Sequence, residues 1–348
     1  MKHQNKTRLL TAVLIAAVAA MALVCLFVGP SRMTLGDALR ALLRRGSGTN
    51  ERIVWNIRVP RVLAALLAGA GLSVSGLIMQ TCLNNSMASP STLGVSNAAV
   101  FGANLSIIVF AGGFLTTGRN AANFFVGANP FATSLMAFLF SSLSILLILG
   151  LCRLRAFSPN VVVLAGLAVS AMWTAGTTVL QFFATDVGIS AAVVWNFGDL
   201  GRATYRTDLL LLCVVLSGIV LFRLLAWKYN VLLSGDASAR SMGVNVSLLR
   251  FISLLVSSLI TAVCVSFLGV IGFVGIICPH VTKRLFGQDH RLSVPVSALF
   301  GSLLLLGADA LSRCLGSGSA LPVGAITSLL GAPFFLAVLF FGREAREC

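Results

Sequence analysis

Charge is what this chain has least of. Its 348 residues include 25 Lys or Arg and ten Asp or Glu, 10% in all, against about 25% in soluble proteins. With 57% apolar residues and a mean hydropathy of +0.97, it cannot clothe a water-facing surface of its size. Groups that do chemistry are equally sparse. Three histidines, at 3, 280 and 290, are too scattered for a metal cluster. The eight cysteines (25, 82, 152, 213, 264, 278, 314 and 348) form no C-x-x-C pair and fall mostly inside apolar runs. They read as small buried hydrophobes, not as disulfides or metal ligands. No G-x-x-x-x-G-K-[ST] loop occurs, and Gly-Lys occurs nowhere, which excludes ATP binding by that mechanism. No Ser/His/Asp arrangement and no carboxylate pair stands at membrane depth, so no catalytic site and no bound cofactor are expected.

What the chain does have is long uncharged runs: Leu9–Gly29, Val62–Gly118, Asn120–Cys152, Ala156–Thr185, Phe251–Thr282 and Cys314–Gly342. About 20 apolar residues cross a bilayer as a helix, so this is a polytopic membrane protein of the all-α class. Lys2, Lys6 and Arg8 before Leu9–Phe27 resemble a signal peptide. The apolar stretch is too long for one, however, and no small-x-small cleavage site precedes Pro30; it is read as a retained first span. The 57 residues of Val62–Gly118 would make a helix of about 85 Å and must fold back, with a turn at Asn84-Asn85-Ser86, Pro90 and Gly94. Spans are expected at 9–27, 62–83, 93–112 and 132–152. A fifth opens at Ser158-Pro159-Asn160 and reaches about 184. Asp186–Asp208 reads as an interfacial helix and loop, and Gly112–Pro130 as a loop. Further spans cover 209–227 and 249–268. The Gly269, Gly272 and Gly275 series turns into a short eighth span ending near Lys283, followed by 292–312 and a tenth after Leu321-Pro322.

Ten spans place both termini on one side. With the N-terminus inside, 14 of the 25 basic residues lie inside and 11 outside, and seven of the 11 are in the first loop: Arg32, Arg40, Arg44, Arg45, Arg52, Arg58 and Arg61. Elsewhere the split is 14 to 4, a positive-inside bias that the first loop breaks. The net charge of +15 therefore reads as a topology signal, not as a nucleic-acid surface. Trp55, Trp195 and Tyr205 fall near the outer interface, and Trp227 and Tyr229 near the inner one. The small residues Ala65, Gly69 and Ser73, four apart, let helices approach closely. Asp309 is the only acid well inside a span and stands four residues before Arg313, so one helix face can pair them. A self-energised carrier needs intramembrane ionisable groups along its path, and their near absence points to energy supplied by another subunit.

The inner loop at 229–248 contains Ser234–Met242, which reads as a short helix begun by Ser/Gly/Asp and stopped by Gly243, of the kind that docks in a partner's groove. With Arg58-Val59-Pro60-Arg61-Val62-Leu63-Ala64, Gly76-Leu77-Ile78-Met79-Gln80, Ser89-Pro90 through Leu93-Gly94-Val95-Ser96, Leu164-Ala165-Gly166-Leu167-Ala168, Gly272-Phe273-Val274-Gly275 through Pro279-His280, Asp289-His290-Arg291, Leu321-Pro322-Val323-Gly324 and Leu330-Gly331-Ala332-Pro333-Phe334-Phe335, the chain resembles the FecCD-type permeases. These are membrane subunits of binding-protein-dependent ABC importers for iron-siderophores, heme and cobalamin. The likeness spans about residues 50 to 341.

The resemblance implies one permease domain over 1–348 with the type II ABC importer fold, in a bacterial or archaeal plasma membrane. Its tails, 1–8 and 343–348, would be cytoplasmic. It also implies a second permease copy or paralogue, two ATPase subunits that hold the ATP and Mg, and a solute-binding protein on the outer side. Gly235, Asp236, Ala237, Ser238, Ala239, Arg240 and Gly243 would couple to the ATPase, with Ala237 and Ala239 allowing close approach. Arg58, Arg61 and Arg313 would surface on the outer face to meet acidic residues of the binding protein. The path is expected from the second to fifth spans and the 186–208 segment, with Ser73, Ser170 and Asn196 on it. The cargo is expected to be an iron-siderophore chelate, with heme or cobalamin as the alternative. An ion-coupled carrier or a non-transporting scaffold would be a different class.

Overall fold

The computed structural model describes residues 2–29, 33–44, 48–111, 129–154, 157–315 and 320–341. Most of the Gly112–Pro130 loop, Arg32, Arg45, Arg155, Arg343, Arg346 and the 343–348 tail lie outside these residues.

Every regular element among the described residues is helical. The helices at the positions of the expected spans are α1 (Lys2–Phe27), α4 (Val59–Cys82), α5 (Val95–Asn104, continued through Phe110), α6 (Pro130–Arg153), α7 (Pro159–Phe182), α9 (Tyr205–Leu224), α12 (Val246–Leu268), α13 (Val274–Phe286), α14 (His290–Leu315) and α15 (Val323–Phe341). Shorter helices are α2 (Leu35–Leu42), α3 (Gly48–Ile53), α8 (Asp186–Asn196), α10 (Ala226–Leu232) and α11 (Asp236–Ser241). Among the described residues seven helices are long and apolar enough to cross a bilayer, counting α3 with α4 as one run; Val95–Phe110 and Val323–Ala337 are shorter apolar helices. The 13-residue α13 takes the place of the expected short span. The anticipated boundaries hold at the turns: α4 ends at Cys82 before Asn84 and Gly94 with positive φ, and α12 ends at Leu268 before Gly269 with positive φ.

Two elements run further than expected. Helix α1 begins at Lys2, not at Leu9. The first loop is largely helical, because α3 runs into α4 through one wide turn, Val54–Arg58, closed by a Val59 N–H to Val54 carbonyl bond.

Helix α4 is the hub, buried along nearly its whole length, and the stripe of small residues is the reason. Gly69 crosses Gly301 of α14 so closely that a Cβ at Gly69 would lie 2.6 Å from the Gly301 carbonyl carbon, and a Cβ at Gly76 would lie 2.5 Å from that of Gly275 in α13. Ser73 donates to the Ser297 carbonyl at 2.7 Å. Without a hydrophobic drive between helices in lipid, close backbone contact of this kind holds the bundle. The strand-like segment Phe197–Asp199 threads between two further turns. Its Asp199 N–H donates to the Leu268 carbonyl at 2.8 Å, and the Gly198 carbonyl accepts from Val323 N–H at 2.8 Å, which fixes where α15 starts.

Candidate functional site

Among the described residues, polar groups gather at the end of the bundle bearing α2, at the opposite end bearing α11, and along one face of α5 and α7 between them.

At the α2 end the sequence places Arg58 and Arg61 at the start of α4 and Arg313 near the end of α14, and the structure brings all three together. They do not surface as expected. Their exposures are 3%, 8% and 6%, and each is engaged inside the chain. Arg58 Nη1 donates to the Leu26 and Phe27 carbonyls at 2.7 and 3.0 Å, at the end of α1. Arg61 Nε donates to Asp309 Oδ1 at 2.6 Å, and its Nη2 lies 3.7 Å from Asp199 Oδ1. Arg313 Nη2 pairs with Asp309 Oδ2 at 2.6 Å, the anticipated i,i+4 pair, and its Nη1 donates to the Cys25 and Val28 carbonyls at 2.8 and 2.7 Å. Asp309 is fully buried and shared by two guanidinium groups. The physical reason is charge balance: a carboxylate this far from water needs fixed partners, and it draws the arginines inward. Among the described residues Asp199 is the partner of this cluster nearest to solvent.

At the opposite end, α11 follows the expected pattern. Gly235 (φ +97°) precedes it and Gly243 (φ +80°) follows it. Its first residue, Asp236, receives Arg250 in bidentate fashion at 2.7 and 2.8 Å, while Arg250 Nε donates to the Cys82 carbonyl at 2.8 Å. The α4 terminus, the start of α12 and α11 are therefore tied through one buried guanidinium. Ala239 is fully buried against its own chain. The expectation that it lets a partner approach is thus corrected, because the i,i+3 face that carries it is the inward one. Ala237, Arg240 and Met242 are exposed, and Ser238 is half-buried. A shallow open depression of about 380 Å³ is lined by Arg240, Gly243, Val244, Asn245, Val246 and Ser247. Beside it, Tyr229 Oη bonds Ser253 Oγ at 2.7 Å, His290 Nε2 bonds Thr81 Oγ1 at 2.8 Å, and Asn230 joins His290 N–H to Asp289.

Residues 10–341 match the FecCD transport family. The chain belongs to the FecCD transport family. A protein of Methanocaldococcus jannaschii, provisionally named an ABC transporter permease, is 44% identical over 90% of this chain and 89% of its own length. The hemin transport system permease protein of Yersinia pestis is 34% identical over 93% of this chain and 95% of its own. A solved metal-chelate-type ABC transporter, in an inward-facing conformation, shares the fold with a TM-score of 0.80 at 24% identity, covering 96% of this chain and 99% of that one.

The third polar place in this FecCD chain is a ladder along α5 and α7. Asn97 Nδ2 donates to Ser170 Oγ at 2.6 Å and to Thr174 Oγ1 at 3.2 Å, and Gln181 Nε2 donates to Asn104 Oδ1 at 3.0 Å. Thr174 and Thr178 are exposed. Of the three expected path residues, Ser170 stands on this ladder. Asn196, at the end of α8, has a buried Oδ1 with no hydrogen-bond partner among the described residues. Ser73 is sealed between α4 and α14 by Ser297, so it packs helices and does not line a passage. Sequence reading missed Asn97, Thr174 and Thr178, although the spacing 170, 174, 178 and 181 repeats every turn of one helix face. It also missed Arg250, whose role depends on a contact 168 residues away.

Proposed function

We propose that this chain is the permease subunit of an ATP-driven importer that passes an iron-siderophore-type chelate across the plasma membrane from a solute-binding protein. The observation that carries the reading is the α11 clasp. A short helix with an exposed outer side is tied by Arg250 to the ends of two spans, so a push on α11 moves α4 and α12 together. That is the mechanical part an ATPase partner needs, and relatives of this chain are named as permeases.

On this reading the α11 end and both termini face the cytoplasm, where two ATPase subunits hold ATP and Mg. The α2 end receives the binding protein, whose acidic lobes meet Arg61 on the solvent side of the cluster in competition with Asp199, a geometry suited to guanidinium forks. The Asn97–Ser170–Thr174 ladder, with Thr178, Gln181 and Asn196, lines the passage between two copies: polar groups on a span's outer surface cost less facing water than facing lipid. Heme or cobalamin is the second reading for the cargo, since relatives named for hemin and for cobalamin import are 34% and 35% identical.

The test is uptake into proteoliposomes holding the permease, its ATPase and its binding protein. ATP-dependent accumulation of a ferric siderophore is expected. Preference for hemin or cobalamin would change the cargo only. Uptake driven by an ion gradient without ATP would replace the reading with a secondary carrier. Changing Arg61 to Glu is expected to abolish docking of the binding protein while ATPase assembly persists; unimpaired docking would leave the arginines with a structural role alone.

A further inference from the structure

The first loop breaks the positive-inside bias, and of its seven arginines the proposed function uses only Arg61. The loop's first described helix is α2. Thr34 caps it by accepting from Asp37 N–H at 3.2 Å, and Ala38 and Ala41 form its inward face. Its outward side is apolar and basic together: Leu39 and Arg40 stand on the helix, and Leu43 and Arg44 follow in the turn that ends it, Arg44 with φ +55°. Leu39 and Leu43 are 50% and 66% exposed, and Arg40 and Arg44 are exposed beside them. Leucine and arginine side by side on one open face suit neither bulk water nor a hydrocarbon interior. They suit the boundary between the two, where apolar side chains enter the leaflet and cations meet phosphate.

A separate observation sets the height. Trp55 Nε1 donates to the Ala41 carbonyl at 3.2 Å, the Trp55 carbonyl accepts from Tyr205 Oη, and the Arg44 guanidinium lies 5.1 Å over the Trp55 ring. Tyr205 is the first residue of the span α9. Trp and Tyr collect at the headgroup level of membrane proteins, so this pair ties α2 to that level.

We infer that α2 is a lipid-headgroup site: Leu39 and Leu43 seat in the leaflet at the α2 end, and Arg40 and Arg44 hold acidic phospholipid headgroups. An acidic protein lobe would account for the arginines alone, whereas the leucine pair beside them calls for an apolar phase at the same height. Arg40 and Arg44, both exposed, supply the complementary charge, whereas Arg58 and Arg61 of the same loop are engaged inside the chain. The inference holds for either orientation of the bundle and does not rest on the proposed transport reading.

The test uses the full chain in nanodiscs of phosphatidylcholine with or without phosphatidylglycerol. Nitroxides at Leu39→Cys and Leu43→Cys, one at a time with Cys213, Cys314 and Cys348 changed to Ser, are expected to be more accessible to oxygen than to a water-soluble nickel chelate. A label at Arg52→Cys should show the reverse. Each arginine near an anionic surface is worth about 5-fold in lipid association. Arg40→Gln with Arg44→Gln should therefore lower the enrichment of phosphatidylglycerol over phosphatidylcholine, read by native mass spectrometry, by roughly 25-fold. Inorganic phosphate should not compete, because the leucines contribute only when the headgroup carries a lipid. Nickel access at Leu39 and Leu43 equal to that at Arg52 would overturn the inference, as would unchanged enrichment in the double variant or displacement by inorganic phosphate. Labels shielded only after an acidic binding protein is added would assign the face to that protein and equally overturn it.

Discussion

Changing Asp309 to Asn isolates the charge cluster that joins α1, α4 and α14. The substitution keeps the shape of the side chain but removes the only negative charge among the described residues within 3 Å of Arg61 Nε and Arg313 Nη2. Breaking a buried ion pair by removing one partner costs about 3–5 kcal/mol, because the other charge stays buried and uncompensated. Here two cations are stranded, but neither loses everything. Arg61 keeps Asp199 at 3.7 Å, on the water side where screening weakens it, and Arg313 keeps the carbonyls of Cys25 and Val28. The low end of the range, about 3 kcal/mol, follows, or roughly a hundredfold in the unfolding equilibrium. Reversible unfolding of the purified chain in mixed micelles would read it. The cluster should also be strongly non-additive: Asp309→Leu with Arg61→Met and Arg313→Met should recover most of the loss, since a well-packed apolar replacement of a buried ion network is often neutral or better. A loss below about 1 kcal/mol for Asp309→Asn, or a triple variant no better than the single one, would refute the view that Asp309 draws the arginines inward.

Gly301→Leu should destabilise the chain by about 2 kcal/mol or more, measured in the same assay, because its Cβ would meet the Ser73 Cβ at 2.5 Å and force α4 and α14 apart. Arg250→Met should lower ATP-driven uptake at least about tenfold, on the order of 1.4 kcal/mol, while ATP hydrolysis by the assembled complex continues, since it frees α11 from α4. Thr174→Cys and Thr178→Cys should react with a water-soluble thiol reagent in proteoliposomes, and Ser73→Cys should stay protected; the reverse pattern would move the passage elsewhere. Burial works to raise the Asp289 carboxyl, but the Arg291 N–H, the Asn230 amide and the Arg291 charge outweigh it and hold it below the usual carboxylate range. A depressed folded value means that its contribution is present above the unfolded value near pH 4 and is lost as pH falls further. Unfolding followed from pH 6 to pH 3 should lose that slope in Asp289→Asn.

The helical class, most helix positions and the main turns were legible in the sequence, because these depend on local quantities. Run length against bilayer thickness, the Asn84–Gly94 break, the Gly269–Gly275 series and the Gly235 and Gly243 stops of α11 are all readable within a few dozen residues, and the family motifs follow the same order. The i,i+4 pair of Asp309 and Arg313 was equally open to view, since both residues lie on one helix face.

Which way a side chain points was decided only by tertiary structure. Arg61 stands 248 residues from Asp309, and no local pattern says that a carboxylate on another span will pull it out of solvent. Ser73 and Ser170 are alike in sequence, both small polar residues on apolar helices. One meets Ser297 across a glycine-lined crossing and is sealed, while the other meets Asn97 on an open face. Ala239 turned inward for a similar reason: Arg250 clasps Asp236 and rolls α11 onto the bundle, so Ala239 is buried and Ala237 is left outside. Local spacing specifies which helices can form, and the global balance of buried charge and close packing specifies what each of their faces meets.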